Sequence, residues 1–274
     1  MEDFSKNEKV KLDFVFVVLV YRNIQDLKDF FESLTTPNNK VIVVNSFYDE
    51  ESEKEFRRIA ETNNADFLSV PNKGYGAGNN RGVEYALAHY DFKYLIISNA
   101  DIIINHLDVD SLDNTPKGIF APSIHTLSGK QQNPHMPFHC SLIDKLKYYY
   151  FKKNNWNVIM FFCALNKLFR VSFLGLIRFF NSNKIYSAHG SFVIIPKSVL
   201  EILVPLYDEN VFLFTEEENL AMNAKSHSIA TYFIPKVKIL HKEDGSTTTI
   251  SDKQRDITRE SFITFYEKWY QQFA

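Results

Sequence analysis

Asn72-Lys73-Gly74-Tyr75-Gly76-Ala77-Gly78-Asn79-Asn80-Arg81-Gly82 is the stretch on which the reading of this sequence turns. It follows a short apolar run, Phe67–Val70, and leads into a segment of helical spacing that ends near Tyr90. Glycines at alternate positions let a backbone approach a ligand closely, and a helix start offers free N–H groups to an anion. The alternative is a flexible turn with an Asn cap. Four glycines and three asparagines in eleven residues favour a loop that handles a nucleotide. The spacing is not the dinucleotide fingerprint, which follows a first strand, and no Gly-Lys-Ser/Thr completes a P-loop.

Outward from that stretch, strands and helices alternate. Asp13–Val20 is apolar and β-branched, as expected of a strand covered on both faces. Ile24, Leu27, Phe30, Phe31 and Leu34 recur at helical spacing, and Pro37 ends the element. Lys40–Val44 predicts a second strand, Glu51–Asn63 a surface helix, Phe67–Val70 a third strand and Tyr94–Ile97 a fourth. This alternation predicts an α/β fold with a mostly parallel, Rossmann-like sheet flanked by helices. Beyond Gly118 the pattern is less regular. Residues 140–184 predict two helices, Ser187–Ile195 a strand and Lys197–Leu203 a short helix. A helix follows from Glu216 to about Ser226, then short strands at Thr231–Ile234 and Lys238–Leu240. An amphipathic helix, Ser251–Gln271, closes the chain.

At 274 residues the chain suits one large domain, since domains run to roughly 100–200 residues. Residues 140–184 then form a helical insertion within residues 1–274. Its eight Lys or Arg against one acid give a local +7, and the other 229 residues carry −9. A net charge of −2 offers no electrostatic case for nucleic acid. Cys140 and Cys163 have no metal-type spacing, which favours a reducing compartment. The charged Met1–Lys11 holds no apolar leader and argues against secretion. The 25 Phe and 14 Tyr exceed what an ordinary core needs.

Three further clusters could carry chemistry. Ser98-Asn99-Ala100-Asp101 follows the fourth strand, and carboxyl ends of parallel strands are where open α/β sheets bind ligands. Asp101 suits a hard cation, and equally an Asx turn. Glu216-Glu217-Glu218 fits either helix-start charge or a base that deprotonates a hydroxyl. His241, at a strand end before Glu243-Asp244-Gly245-Ser246, is a candidate metal ligand. His125, His135 and His139 share a stretch with Pro134 and Pro137, but neither a Cys pair nor a helix supports zinc there. No Gly-x-Ser-x-Gly elbow or Cys/His hydrolase signature is present.

The order of these motifs resembles family 2 glycosyltransferases of the GT-A fold, especially the bacterial rhamnosyltransferase-like branch that builds surface polysaccharides. The residues that match are Val20-Tyr21-Arg22-Asn23, Val43-Val44-Asn45-Ser46, Asn72–Gly82, Asn99-Ala100-Asp101, Gly190–Pro196, Phe212–Leu220 and His241–Ser246. They span about residues 13–125 and 186–246. Three positions depart from the family pattern: Asn45 stands for an Asp at the nucleobase, Glu216-Glu217 for Glu-Asp, and Asn223 for an Arg. The resemblance implies an inverting, metal-dependent hexosyltransferase. Its donor would be a nucleotide-diphosphate sugar (UDP- or dTDP-linked) and its acceptor a glycan or lipid-linked glycan. It implies nucleotide-sugar binding by Tyr21, Asn23, Asn45, Asn72, Gly74, Gly76, Gly78, Asn79, Asn99 and Gly190. It implies a divalent cation, Mn2+ or Mg2+, on Asp101 and His241, and a general base at Glu217, with Glu216 or Glu218 as alternatives. Asn45 and Asn223 keep a second reading open, a non-catalytic nucleotide-sugar-binding or scaffold protein of a polysaccharide assembly complex. A nucleotidyltransferase shares the α/β start but lacks support from a basic glycine motif near the N-terminus.

The basic, aromatic block fits an interfacial element. Tyr148, Tyr149, Tyr150 and Phe151 adjoin Lys145, Lys147, Lys152 and Lys153, and the apolar run Trp156–Phe180 is interrupted by Lys167, Arg170 and Arg178. A span needs about 20 nearly uncharged residues, so the prediction is a cytoplasmic enzyme peripheral on the anionic inner face of the membrane. A helical subdomain rimming the acceptor cleft is the alternative.

Overall fold

The computed structural model describes residues 11–176, 183–242 and 251–271. The chain runs β1 (Lys11–Val20), α1 (Ile24–Ser33), β2 (Asn39–Ser46), α2 (Glu50–Thr62), β3 (Asp66–Val70), α3 (Tyr75–His89), β4 (Asp91–Asn99), β5 (Ile102–His106), α4 (Val109–Asp113) and β6 (Ile119–Thr126). Then come α5 (Ser141–Lys152), α6 (Trp156–Leu176), β7 (Lys184–Ile185), β8 (Phe192–Pro196), α7 (Lys197–Leu203), α8 (Glu216–Ser226), β9 (Thr231–His241) and α9 (Asp252–Tyr266). A π-helical turn, Glu267–Gln271, follows α9.

One sheet carries the molecule, in the order β3-β2-β1-β4-β8-β6-β9-β5, with β7 paired to β9. The strands β3, β2, β1 and β4 are parallel, and β8 and β5 run against their neighbours. Successive β1 residues point to opposite faces, and both faces are buried. Val15 and Val17 pack with Val83 of α3 and Leu200 of α7, while Phe14 and Phe16 pack with Phe30 of α1 and Phe56 of α2. A third apolar cluster joins Phe151 of α5, Ile159 of α6 and Phe262 and Phe265 of α9. The basic block is therefore pinned on the C-terminal helix.

The α/β reading stands, with differences in detail. The strand expected over Ser187–Ile195 is Phe192–Pro196, because Ser187 instead receives the backbone N–H groups of His135 and Met136. The two short strands expected after Ser226 are one, β9, broken in register between Ile234 and Lys238 around Pro235, which has no N–H to give the ladder. The strands β5 and β6 were not foreseen. Met1–Val10, residues 177–182, Glu243–Ile250 and residues 272–274 lie outside the described residues, and with them Arg178 of the interrupted apolar run and the Gly245-Ser246 part of the match.

Candidate active site

Parallel strands leave their carboxyl ends on one edge of the sheet, the edge where such folds bind ligands. Here that edge gathers the ends of β1, β2, β4, β6 and β9. Antiparallel β8 brings its beginning, Gly190-Ser191, to the same place: Asn99 N–H, at the end of β4, donates to the Ser191 carbonyl at 2.9 Å.

Asp101 and His241 meet because β5 pairs with β9 in the register Ile102↔His241. The Asp101 carbonyl accepts from Lys242 N–H at 2.9 Å. The Asp101 Oδ2 lies 3.1 Å from His241 Nε2. His241 is buried, and its Nδ1 is 2.8 Å from Gln132 Oε1, so Nε2 is the nitrogen that faces the carboxylate. A carboxylate oxygen beside an imidazole nitrogen with its far nitrogen held by an outer partner suits a divalent cation.

From that pair a row of imidazoles leads to the acidic cluster. His189 lies 5.8 Å from His241 and 5.9 Å from His135, ring centre to ring centre. His135 Nε2 stands 3.9 Å from Glu218 Oε1. Burial, then the neighbouring His135 and His241, holds the His189 pKa well below the usual range. Burial would lower His135 as well, but the Glu217 and Glu218 carboxylates raise it.

The three glutamates take three environments. Phe214 and Thr215 precede α8 with φ of +71° and +64°, a conformation that costs side-chain-bearing residues about 1–3 kcal/mol. The helix then starts with its first turn against the site. Glu216 is buried, and that burial together with the Glu217 charge pushes its pKa up to about 8. Burial would raise Glu218 too, but the hydrogen bond and charge of His135, with Lys147, hold it below the usual carboxylate range. Glu217 Oε1 accepts the Gly190 N–H at 3.1 Å, and the residue lines a groove of about 390 Å³ between α5, α6 and the start of α8. Of the three, Glu217 and Glu218 border this groove and Glu216 does not.

The glycine-rich stretch enters the site differently from the expectation of an open cradle. Gly76, Gly78 and Gly82 lie inside α3, and a Cβ on each would meet Tyr207 Cβ at 2.7 Å, Leu19 Cδ1 at 2.6 Å and Val17 Cγ1 at 2.3 Å. Their lack of a side chain lets α3 pack closely, Gly78 and Gly82 on the sheet and Gly76 on Tyr207. Gly74 has φ +108° and no room for a Cβ against the Phe212 carbonyl. Asn72 Oδ1 accepts from Gly74 N–H at 3.3 Å. Tyr75 donates its hydroxyl to the Gly190 carbonyl at 2.8 Å, tying the stretch to the loop that holds Glu217. Asn80 exchanges two hydrogen bonds with the Tyr207 backbone. Asn79 is buried and reaches the Tyr75 carbonyl.

Asn23 caps α1 through Gln25 N–H. Asn45 is buried at the end of β2, donates to Ser69 Oγ at 3.3 Å, and has no hydrogen bond to its Oδ1 among the described residues. Asn223 spans the Leu203 and Pro205 carbonyls and so has a structural task. The sequence reading missed Tyr48 and Arg22. Just past β1 and β2, Tyr21 and Tyr48 sit edge to face at 5.4 Å, and the Arg22 guanidinium lies 4.9 and 4.2 Å from the two rings. The signal for Tyr48 was a second tyrosine placed after β2 much as Tyr21 is after β1. Gln132 and His189 were missed as well. His139 turns to Asp144 and Tyr270, away from any grouping with His125 and His135.

No family model matches the chain. It is similar to the low-salt glycan biosynthesis hexosyltransferase Agl10 of Haloferax volcanii, with 24% identity over 258 residues, covering 90% of this chain and 73% of that protein. Among solved structures it resembles GalNAc-T7 in complex with UDP, GalNAc and Mn2+, at TM-score 0.57 and 11% identity over 85% of this chain. That match spans 44% of the GalNAc-T7 chain, less than half its length. It also resembles residues 1–349 of S. aureus TarS, at TM-score 0.56 and 10% identity, covering 95% of this chain and 73% of that one. The fold is that of the GT-A glycosyltransferases.

Proposed function

From a GT-A glycosyltransferase fold and a likeness to a glycan-building hexosyltransferase, we propose that this chain is an inverting glycosyltransferase. It moves a hexose from a nucleotide-diphosphate sugar to a hydroxyl of a lipid-linked glycan. The observation that carries the reading is the shared edge on which the Asp101–His241 pair stands at one end of the imidazole row and Glu217 at the other. A diphosphate leaving group and an attacking hydroxyl need opposite help, and the two ends offer it.

Uracil or thymine would stack on the Tyr21–Tyr48 platform, and the Arg22 charge would steady the ribose-phosphate side. Asn45 and Asn72 would contribute at the same end, and Asn99 and Gly190 beside the sugar. Asp101 and His241 would hold Mn2+ or Mg2+, which when bound offsets the charge that develops on the diphosphate. Glu217, oriented by Gly190 N–H, would take the proton of the acceptor hydroxyl as its oxygen bonds to the anomeric carbon. Attack from the face opposite the departing diphosphate inverts that carbon.

The acceptor's apolar part would lie in the groove, whose far wall carries Trp156, Phe162, Phe169 and Phe262. An exposed apolar face on α6 fits the same reading. Trp156–Gly175 has mean hydropathy 1.6 with 11% of its span buried, and Met160, Phe161, Leu168 and Val171 are exposed. One side of α6 is tied down by Asn166 on the His135 carbonyl and by Ile159 and Phe173, which favours a helix lying in the interface over one that spans. We place the enzyme peripherally on the cytoplasmic face.

Mass spectrometry of donor turnover over a panel of UDP- and dTDP-sugars, with and without manganese, tests this reading. Metal-dependent release of the nucleoside diphosphate is expected. Binding of a nucleotide sugar with no turnover under any condition would favour the non-catalytic alternative.

A further inference from the structure

We infer that His135, His189 and Glu217 form a second metal site, separate from the Asp101–His241 pair and suited to an imidazole-binding transition ion such as Zn2+. One ligand atom from each residue lies within 4.8 Å of the others. Tetrahedral zinc with bonds near 2.0–2.2 Å places its ligand atoms about 3.3 Å apart, so a side-chain closure of roughly 1.5 Å completes the set. Two histidines and a carboxylate with a fourth position open is a recurrent donor set for exchangeable zinc. The Asp101 end offers a hard oxygen beside a single imidazole, whereas this end offers two imidazoles, so Zn2+, Cu2+ or Ni2+ would prefer it over Mn2+ or Mg2+.

Two of the three ligands are oriented by outer partners of the kind that metal sites use. His189 Nδ1 is 2.9 Å from Ser191 Oγ and accepts the Ser191 N–H at 3.2 Å, so Nε2 becomes a ligand once the ring proton moves from Nε2 to Nδ1, where Ser191 Oγ can accept it. Glu217 Oε1 is occupied by Gly190 N–H, which leaves Oε2. The segment holding His135 is sewn to the segment holding His189: Asn133 Oδ1 accepts from His189 N–H at 2.7 Å and the Ser187 carbonyl from His135 N–H at 3.1 Å. His135 and Glu217 both border the groove, which gives the ion a way in.

The consequence for transfer rests on the reading of Glu217 as the base. An ion there takes the oxygen that would accept the acceptor's proton, so Zn2+ inhibits a reaction that Mn2+ supports. Binding itself does not depend on that reading.

The experiment titrates metal-free full-length chain with Zn2+ against a chromophoric chelator, and records Co2+ absorption as a check on imidazole coordination. Wild type and Asp101→Asn should each take up one Zn2+ with equal affinity. His189→Gln and His135→Asn should each bind at least about 100-fold more weakly, the upper end of what loss of an outer-shell partner alone costs. His135→Asn, at the groove side, serves if His189→Gln does not fold. Equal binding by wild type and His135→Asn, or loss of binding in Asp101→Asn, would overturn the site. If the variants behave as expected but Zn2+ leaves Mn2+-supported transfer untouched, the metal site stands and Glu217 is not the base.

Discussion

Glu216, Glu217 and Glu218 are one chemical word in the sequence and three different groups in the fold. A pair of left-handed residues, Phe214 and Thr215, aims the first turn of α8 so that Glu216 is buried away from the groove, Glu217 faces the groove and Glu218 meets His135. The buried one carries a pH signature. The Glu216 pKa is raised in the folded chain, so its contribution to stability is fully present below the ordinary glutamate value and is lost as pH rises toward about 8. Glu216→Gln removes that titration. The expected result is a melting temperature above wild type, with the gain growing from pH 4.5 to 8 and level beyond; thermal melts across that range check it. Asp101→Asn should leave the melt unchanged while nucleotide-diphosphate binding loses its dependence on manganese, as isothermal titration with and without the metal would read. Asp101 and His241 were each legible as polar residues at strand ends. Their partnership followed only from the family resemblance and not from the residues themselves, because it depends on the register of β5 against β9 across more than a hundred residues of chain. Asn45 was legible as the end of β2, whereas the contact of Arg22 with the edge-to-face rings of Tyr21 and Tyr48 required the positive φ of Arg22 to be seen.

At the scale of elements, α3 shows a glycine pattern doing a packing task. Gly78 and Gly82 let the helix settle on Leu19, Val17 and Val44 of β1 and β2. Gly82→Val should therefore cost about 1–3 kcal/mol by overpacking, seen as a lower denaturation midpoint with unchanged slope. The helix α6 raises a different balance. Lys147 lies over the Phe262 ring and Lys152 pairs with Glu267, so these two are held against the C-terminal helix and its π-helical turn, while Lys153 lies over the exposed ring of nearby Tyr149. Each remaining lysine near an anionic surface adds about 1 kcal/mol, whereas burying one exposed Phe, Leu or Val adds roughly 1.5–3 kcal/mol. The apolar face should dominate. Phe161, Leu168 and Val171 all changed to Ser should abolish sedimentation with anionic vesicles, while Lys145→Gln with Lys153→Gln should weaken it modestly. Wild type that stays in the supernatant at low salt would end the membrane reading. The first four strands were readable because β1, β2 and β4 are buried on both faces and all four, the half-buried edge strand β3 included, are bounded by turn residues. The strand β6 was not, since Pro122 and His125 interrupt its apolar pattern and its partners β8 and β9 come much later in the chain.

Across the whole molecule, the sheet supplies the logic of the site. Parallel β1, β2 and β4 leave Tyr21, Asn45 and Asn99 on one edge, β6 and β9 bring Gln132 and His241 toward that edge, and antiparallel β8 begins there just after Gly190. The α5, α6 and α9 cluster then walls the groove that leads to Glu217. In the proposed division of labour, Asp101 with His241 would serve the leaving diphosphate and Glu217 the acceptor. The most direct test is to measure donor affinity and transfer rate together, in manganese, for wild type and Glu217→Gln. The account predicts that Glu217→Gln keeps donor affinity and loses transfer by at least about 10²-fold, the low end of general-base contributions. Transfer retained in Glu217→Gln but lost in Glu216→Gln or Glu218→Gln would contradict it.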